Sequence, residues 1–278
     1  METRLSSATK EVLISDKEPT ILIGERINPS GKQKLAAALQ AGNLELVRKE
    51  ALAQVQAGAD ILDVNVGAAG VDEVTLLPQA VQAVMDVVDV PLCLDSSNPA
   101  ALESALKVYH GKPLINSVTG EEHRLVKVLP LVKEYKTAVI GLTMDDEGIP
   151  NDPERRAAIA HKIVERAEAS GIPREDIIID CLSLSIGADN EAGLVTIETI
   201  GKVKAELGVN LTLGASNISF GLPDRNLLNS AFLVTAIATG VNCPIVDVAK
   251  ARPIILAADL ILGRDKHARR YIEAYRQR

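Results

Sequence analysis

Apolar residues fall into short runs rich in Val, Ile and Leu, separated by longer stretches in which apolar positions recur every three or four residues. Short β-branched runs alternating with helical periodicity predict parallel strands joined by crossover helices. The strand candidates are residues 21–28 (ILIGERIN), 61–67 (ILDVNVG), 91–97 (PLCLDSS), 113–120 (PLINSVTG), 137–144 (TAVIGLTM), 177–183 (IIIDCLS), 211–219 (LTLGASNIS) and 244–250 (PIVDVAK). The helices between them carry their own punctuation. Asp152 caps, Pro153 suits a first turn, Ile159, Ile163 and Val164 form an apolar stripe, and Gly171 stops the helix; Asn98 and Pro99 open another. Such a series predicts a (β/α)8 TIM barrel as a single domain over residues 19–278. Residues 1–18 form an N-terminal extension that either closes the bottom of the barrel or frays. Residues 227–238 are apolar on nearly every side and call for cover, by a homodimer contact or by deep burial within the monomer.

Composition narrows the classes. A length of 278 residues with 47% hydrophobic content suits one large core, and 2% aromatics without Trp argues against stacking platforms for nucleic acid. A net charge of −7 points the same way. The first strand is followed by GERINPSGKQK, without the glycine fingerprint of a doubly wound nucleotide fold or a P-loop. Cys93, Cys181 and Cys243 are an odd number without C-x-x-C spacing, so buried free thiols are expected rather than disulfides or structural zinc. The N-terminus lacks the charged-then-apolar pattern of a signal peptide, and the apolar late segment is interrupted by Arg252 and Asp259. A cytoplasmic protein with no membrane span is the expectation.

Catalytic groups of β/α barrels come from the C-terminal ends of the strands. Here those ends are polar: Glu25, Arg26 and Asn28; Asp63 and Asn65; Asp95, Ser96 and Ser97; Asn116 and Ser117; Thr143, Asp145 and Asp146; Asp180; Ser216, Asn217 and Ser219; Asp247. Asp63 and Asn65 are two apart and share a strand face opposite Leu62, Val64 and Val66, and the same spacing puts Cys93 with Asp95 and Asn217 with Ser219. The ring has carboxylates and amides but no His, which leaves nucleophilic hydrolysis little to work with. His110, His123, His161 and His267 fall in predicted helices or their ends, so no metal site is expected. A ring of Asp and Asn matches the amino-pyrimidinone edge shared by pterins and purines, with its adjacent N–H donors beside an acceptor.

Six segments, GERIN (24–28), LDVNVG (62–67), LCLDSS (92–97), INS (115–117), GLTM (141–144) and GASNISFG (214–221), stand in the order seen in a known family. The chain resembles the pterin-binding barrels of methyltetrahydrofolate-dependent, corrinoid-linked methyltransferases. The resemblance implies that Asp95, Asn116 and Asp180 hold the pyrimidine side of the pterin and that Asn217 lies near N5. Their place on the lumen-facing side of the strand ends adds Asp63, Asn65 and Ser219 to the substrate-binding set, although Asp63 and Asn65 serve equally well as braces for neighbouring loops. Many relatives follow the sixth-strand Asp with Pro, where this chain has Cys181. The run from Phe220 to Pro223 looks like the folate modules of methionine synthases and of O-demethylase systems.

The activity so implied is methyl transfer between N5 of tetrahydrofolate and the cobalt of a cobalamin carried by a separate corrinoid protein, with the direction open. No D-x-H-x-x-G corrinoid motif occurs, since His267 sits in DKHARR. Two other readings compete. Dihydropteroate synthase (DHPS) shares the pterin barrel but handles a diphosphate, for which Arg26 and Lys250 are the strand-end cations. The other is a folate-binding or corrinoid-docking protein without catalysis.

Overall fold

The computed structural model describes residues 1–276. An antiparallel hairpin of β1 (Glu2–Ser6) and β2 (Glu11–Ser15) comes first. Eight parallel strands follow: β3 (Ile23–Ile27), β4 (Ile61–Asn65), β5 (Leu92–Asp95), β6 (Leu114–Thr119), β7 (Ala138–Leu142), β8 (Ile177–Asp180), β9 (Asn210–Thr212) and β10 (Ile245–Val246). They pair in the order β10, β3, then sequentially to β9. Ile245 N donates to Leu213 O at 3.0 Å and a parallel bridge joins Gly214 to Ile245, closing the barrel. The TIM barrel expected from the alternating pattern is the fold observed.

The connecting helices are α1 (Gln33–Gln40) and α2 (Glu45–Gln56), then α3 (Glu73–Met85), α4 (Pro99–Val108), α5 (Glu122–Tyr135), α6 (Pro153–Ala169), α7 (Ala192–Leu207), α8 (Arg225–Thr239), α9 (Val248–Ile261) and α10 (Arg269–Arg276). Their starts follow local chemistry: Asp152 Oδ1 accepts from Arg155 N at 2.8 Å at α6, and Asn98 Oδ1 from Ala100 N at 3.0 Å at α4. Gly171 ends α6 with φ +85°, which glycine adopts without steric cost. No helix among the described residues is long and apolar enough to cross a membrane.

Two apolar cores result. The larger lies between barrel and helices and takes the outward-facing strand residues, including Leu62, Val64, Leu94 and Ile179. The smaller fills the lumen at its N-terminal end, where Ile23, Ile61, Cys93, Leu114, Ile140 and Ile178 meet Leu5, Val12 and Ile14 of the hairpin. The extension thus plugs the barrel. Asn210 Nδ2 donates to Thr3 Oγ1 at 2.8 Å and to Ile14 O at 3.0 Å, and Ser6 and Lys112 exchange backbone hydrogen bonds at 3.0 Å. Because the bottom is sealed, ligands reach the lumen from the C-terminal face.

Each expected strand range is longer than the strand observed, and two overrun furthest. Residues 211–219 give only the short β9, after which Ala215–Ser219 is a 3-10 turn, with Asn217 N bonded to Gly214 O and Phe220 N to Asn217 O. Asn217 and Ser219 therefore do not share a strand face. Small polar residues beside a glycine favour local turn bonds over a ladder. Residues 244–250 give the two-residue β10, and the chain enters α9 at Val248. The apolar helix expected over 227–238 lies within α8, where Leu233, Ala236 and Ile237 are buried but Leu227 is 66% exposed and Val234 36%. Deep burial within the monomer does not describe it.

Candidate functional site

Strand ends bring Asp63 (β4), Asp95 (β5), Asn116 (β6) and Asp180 (β8) together with Asn217 of the 3-10 turn around one cavity of about 230 Å³. Glu25, Asn28, Leu182 and Ser183 complete much of the wall. The predicted residues Asn65 and Ser219 lie behind it. Asn65 Nδ2 donates to Asp95 Oδ2 at 2.8 Å while Asn65 Oδ1 accepts from Gly67 N at 2.8 Å, so Asn65 orients the carboxylate. Ser219 is buried, donates to Asn229 Oδ1 at 2.6 Å and accepts from Arg225 Nε at 3.0 Å, tying the turn to α8.

Within the cavity Asn116 Nδ2 donates to Asp63 Oδ1 at 3.1 Å. Burial pushes the carboxyl of Asp63 well above the usual range, and the charge of neighbouring Asp95 adds to the effect. Burial likewise raises Asp95 to about 6, against the hydrogen bond from Asn65, and Asp180 to about 7. Glu25 is raised by burial and held by Ser216 Oγ at 3.1 Å. Closely placed, buried carboxyls favour protons or N–H donors from a ligand. Asn217 is exposed to the cavity, and a Cβ at position 214 would stand 3.1 Å from Asn217 Nδ2, so Gly214 leaves the amide its place.

Asp180 is positioned by a network that the strand pattern did not reveal. Arg156 of α6 is fully buried and donates to Pro150 O at 2.7 Å, Cys181 O at 2.9 Å and Leu182 O at 2.7 Å. Leu182 has φ +54°, a strained conformation for a leucine, and its N donates back to Asp180 Oδ1 at 2.7 Å. This is the loop shape that accompanies Cys181, itself buried, with a thiol that burial pushes up. In sequence Arg156 reads as one more charge on a helix, so only the fold exposes its role. Arg225 was missed for the same reason.

The cysteines are free and buried. His110, His161 and His267 lie away from the cavity wall; His161 pairs with Glu206 at 2.8 Å. His123 does meet acidic neighbours, because ligand atoms of Glu121, His123 and Asp146 lie within 4.8 Å of one another after β6 and β7. His123 and Asp146 are exposed, and exposed acidic groups commonly cluster without an ion.

Residues 24–247 match the family of pterin binding enzymes. A methylcorrinoid:tetrahydrofolate methyltransferase of Eubacterium limosum is 31% identical over 264 residues, covering 92% of this chain and 96% of that protein. Methionine synthase of Mycobacterium leprae is 32% identical over 266 residues, covering 91% of this chain but only 22% of that longer protein. Among solved structures, Yersinia pestis DHPS with a pterine-sulfa conjugate superposes with a TM-score of 0.72 over 94% of this chain and 99% of that one, at 17% identity, a likeness of fold alone. With a closed barrel, a carboxylate-and-amide cavity at its mouth and a match spanning nearly every strand, this chain belongs to the family of pterin binding enzymes.

Proposed function

We propose that the protein transfers a methyl group between N5 of tetrahydrofolate and the cobalt of a corrinoid carried by a separate protein. The observation that carries this reading is the convergence of Asp95, Asn116, Asp180 and Asn217 on one cavity, together with full-length similarity to a methyltransferase of that description. The ionised carboxylates of Asp95 and Asp180 accept the N–H donors of the pyrimidine edge, and the Asn116 amide both donates and accepts. Asp63, held by Asn116, sits deeper and braces it.

Asn217 is assigned to N5. As the methyl leaves, N5 becomes an amine that must gain a proton, and the reverse reaction removes one. An amide that hydrogen-bonds N5 stabilises the charge that develops there. The corrinoid supplies a cobalt centre able to give or take the methyl group. This chain contributes orientation and a partly desolvated pocket.

The test mixes the protein anaerobically with methyltetrahydrofolate and free cob(I)alamin and follows the visible spectrum for methylcobalamin. The expected outcome is protein-dependent conversion that Asn217→Ala slows by about a hundredfold, the scale seen when one transition-state donor is removed. Folate binding without conversion, with either free cobalamin or a corrinoid protein, would leave a non-catalytic folate binder.

A further inference from the structure

Methyl transfer at N5 needs a proton that Asn217 cannot supply. An amide donates and accepts hydrogen bonds, but near neutral pH it does not release its protons. Four titratable side chains line the pterin-sized cavity: Glu25, Asp63, Asp95 and Asp180. Asp95 and Asp180 are taken by the pyrimidine edge in the pterin reading, and Asp63 sits deeper, accepting from Asn116 Nδ2 at 3.1 Å. Glu25, on β3, is the carboxyl without a ligand contact so far.

Its position suits proton transfer at N5. Ser216 Oγ donates to Glu25 Oε1 at 3.1 Å and lies 3.3 Å from Oε2, so the carboxyl is held against the 3-10 turn, one residue from Asn217. Glu25 also lines a second cavity of about 430 Å³, between the ends of β3 and β10 and the starts of α8 and α9, around which Arg26, Arg225 and Lys250 gather. The Lys250 side chain there is 65% exposed, so this cavity is open to solvent. The carboxyl thus faces the pterin site on one side and water on the other, the placement needed by a group that reloads its proton after each turnover. Burial holds Glu25 above the usual carboxylate range, against the Ser216 hydrogen bond. The surrounding charges, Asp247 before α9, Lys32 before α1, Arg26 of β3 and the deeper Asp63, do not reverse that direction.

We propose that Glu25 is the general acid and base for N5 of the folate. The inference rests on the methyl-transfer reading. When the folate gives its methyl, the bond from N5 to the methyl carbon breaks as cobalt(I) supplies the electron pair of the new carbon–cobalt bond. The pair released onto N5 takes the proton of Glu25, which is left ionised and regains a proton from water in the second cavity. In the opposite direction N5 attacks the methyl carbon, the carbon–cobalt pair returns to cobalt, and the Glu25 carboxylate takes the N5 proton. Asn217 orients N5 in both.

Rates at saturating folate test the role in both directions, methyltetrahydrofolate with cob(I)alamin and tetrahydrofolate with methylcobalamin, from about pH 5 to pH 8. Saturation sets aside the titration of Asp95 and Asp180, which acts on affinity. The wild-type rate is expected to rise toward low pH when the folate gives the methyl and to fall when it takes it. Glu25→Gln keeps an oxygen for Ser216; it should slow both directions by about a hundredfold or more and flatten both pH responses, while calorimetry finds folate affinity changed by less than about threefold. Glu25→Asp should recover part of the rate together with the pH responses. A Glu25→Gln protein with the wild-type pH responses overturns the role and leaves water or already protonated folate as the proton source. A loss of affinity as large as the loss of rate overturns it too, because the carboxyl then holds the pterin. If the wild type transfers no methyl with free cobalamin or with a corrinoid protein, the methyl-transfer reading falls and this role with it, an outcome distinct from an active wild type indifferent to Glu25→Gln.

Discussion

Asp180 illustrates how one side chain ties burial to chemistry. Its carboxyl reaches a pKa of about 7 because burial strips water from the charged form, and the hydrogen bond from Leu182 N recovers only part of the loss. The folded value lies above the ordinary 3.8, so its contribution to stability is full below about pH 4 and is lost as pH rises through about 7. Asp95 acts in the same direction, with its midpoint near 6. On the proposed site, pterin N–H groups favour the ionised forms, so binding would release protons. Folate affinity should therefore fall on going from pH 8 to pH 5, by up to about tenfold per unit for each group below its free pKa, while thermal stability of the free protein rises over the same interval. Calorimetry across pH checks the first and scanning calorimetry the second; an affinity that climbs toward low pH would mean that the carboxyls bind the pterin protonated. Cavity residues that lie at strand ends were readable in advance, because strand alternation and exit position depend on local order. Arg156 and Arg225 were not, since each gains its meaning from a loop distant in sequence.

At the level of elements, the hairpin and the 3-10 turn set the two ends of the lumen. Leu5 and Ile14 are fully buried among strand residues from around the barrel, so β1 and β2 supply part of the core rather than a loose tail. Leu5→Ala should cost about 2–5 kcal/mol in urea unfolding, as a buried leucine truncation does. A loss of less than about 1 kcal/mol would mean that the plug is dispensable. The opposite end follows from short-range chemistry. Where β9 meets Gly214, local turn bonds replace the ladder and turn the Asn217 amide over the lumen. The run 211–219 reads as a strand because Leu211, Leu213 and Ala215 alternate with Thr212, Gly214 and Ser216, and period alone does not separate an extended segment from a tight turn.

For the molecule as a whole, the sealed bottom and open top direct chemistry to one face, while α8 leaves apolar surface uncovered. Leu227 and Val234, seven residues apart on α8 and so on one face of it, present aliphatic side chains to solvent. Exposed apolar surface on packed helices is the kind that protein contacts cover, and α8 and α9 pack on each other. A homodimer through this face is the expected occupant. Analytical ultracentrifugation should find a dimer that Leu227→Glu converts to monomer with its circular dichroism retained. A wild-type monomer at micromolar concentration would show that the face serves a different partner or none.

The sequence by itself determined the barrel, because eight β-branched runs with helical spacers admit few other packings, and it determined which strand ends are polar. It also carried the ordered motifs by which the chain is recognised as a pterin binding enzyme. Tertiary structure alone decided that the N-terminal hairpin plugs the lumen, that Asn65 and Ser219 stand behind the cavity wall, and that Arg26, Arg225 and Lys250 gather around a second cavity. The division has one physical cause: periodicity reports the face a residue presents within its own element, whereas a site is a meeting of faces from elements far apart in the chain, settled only when the barrel closes.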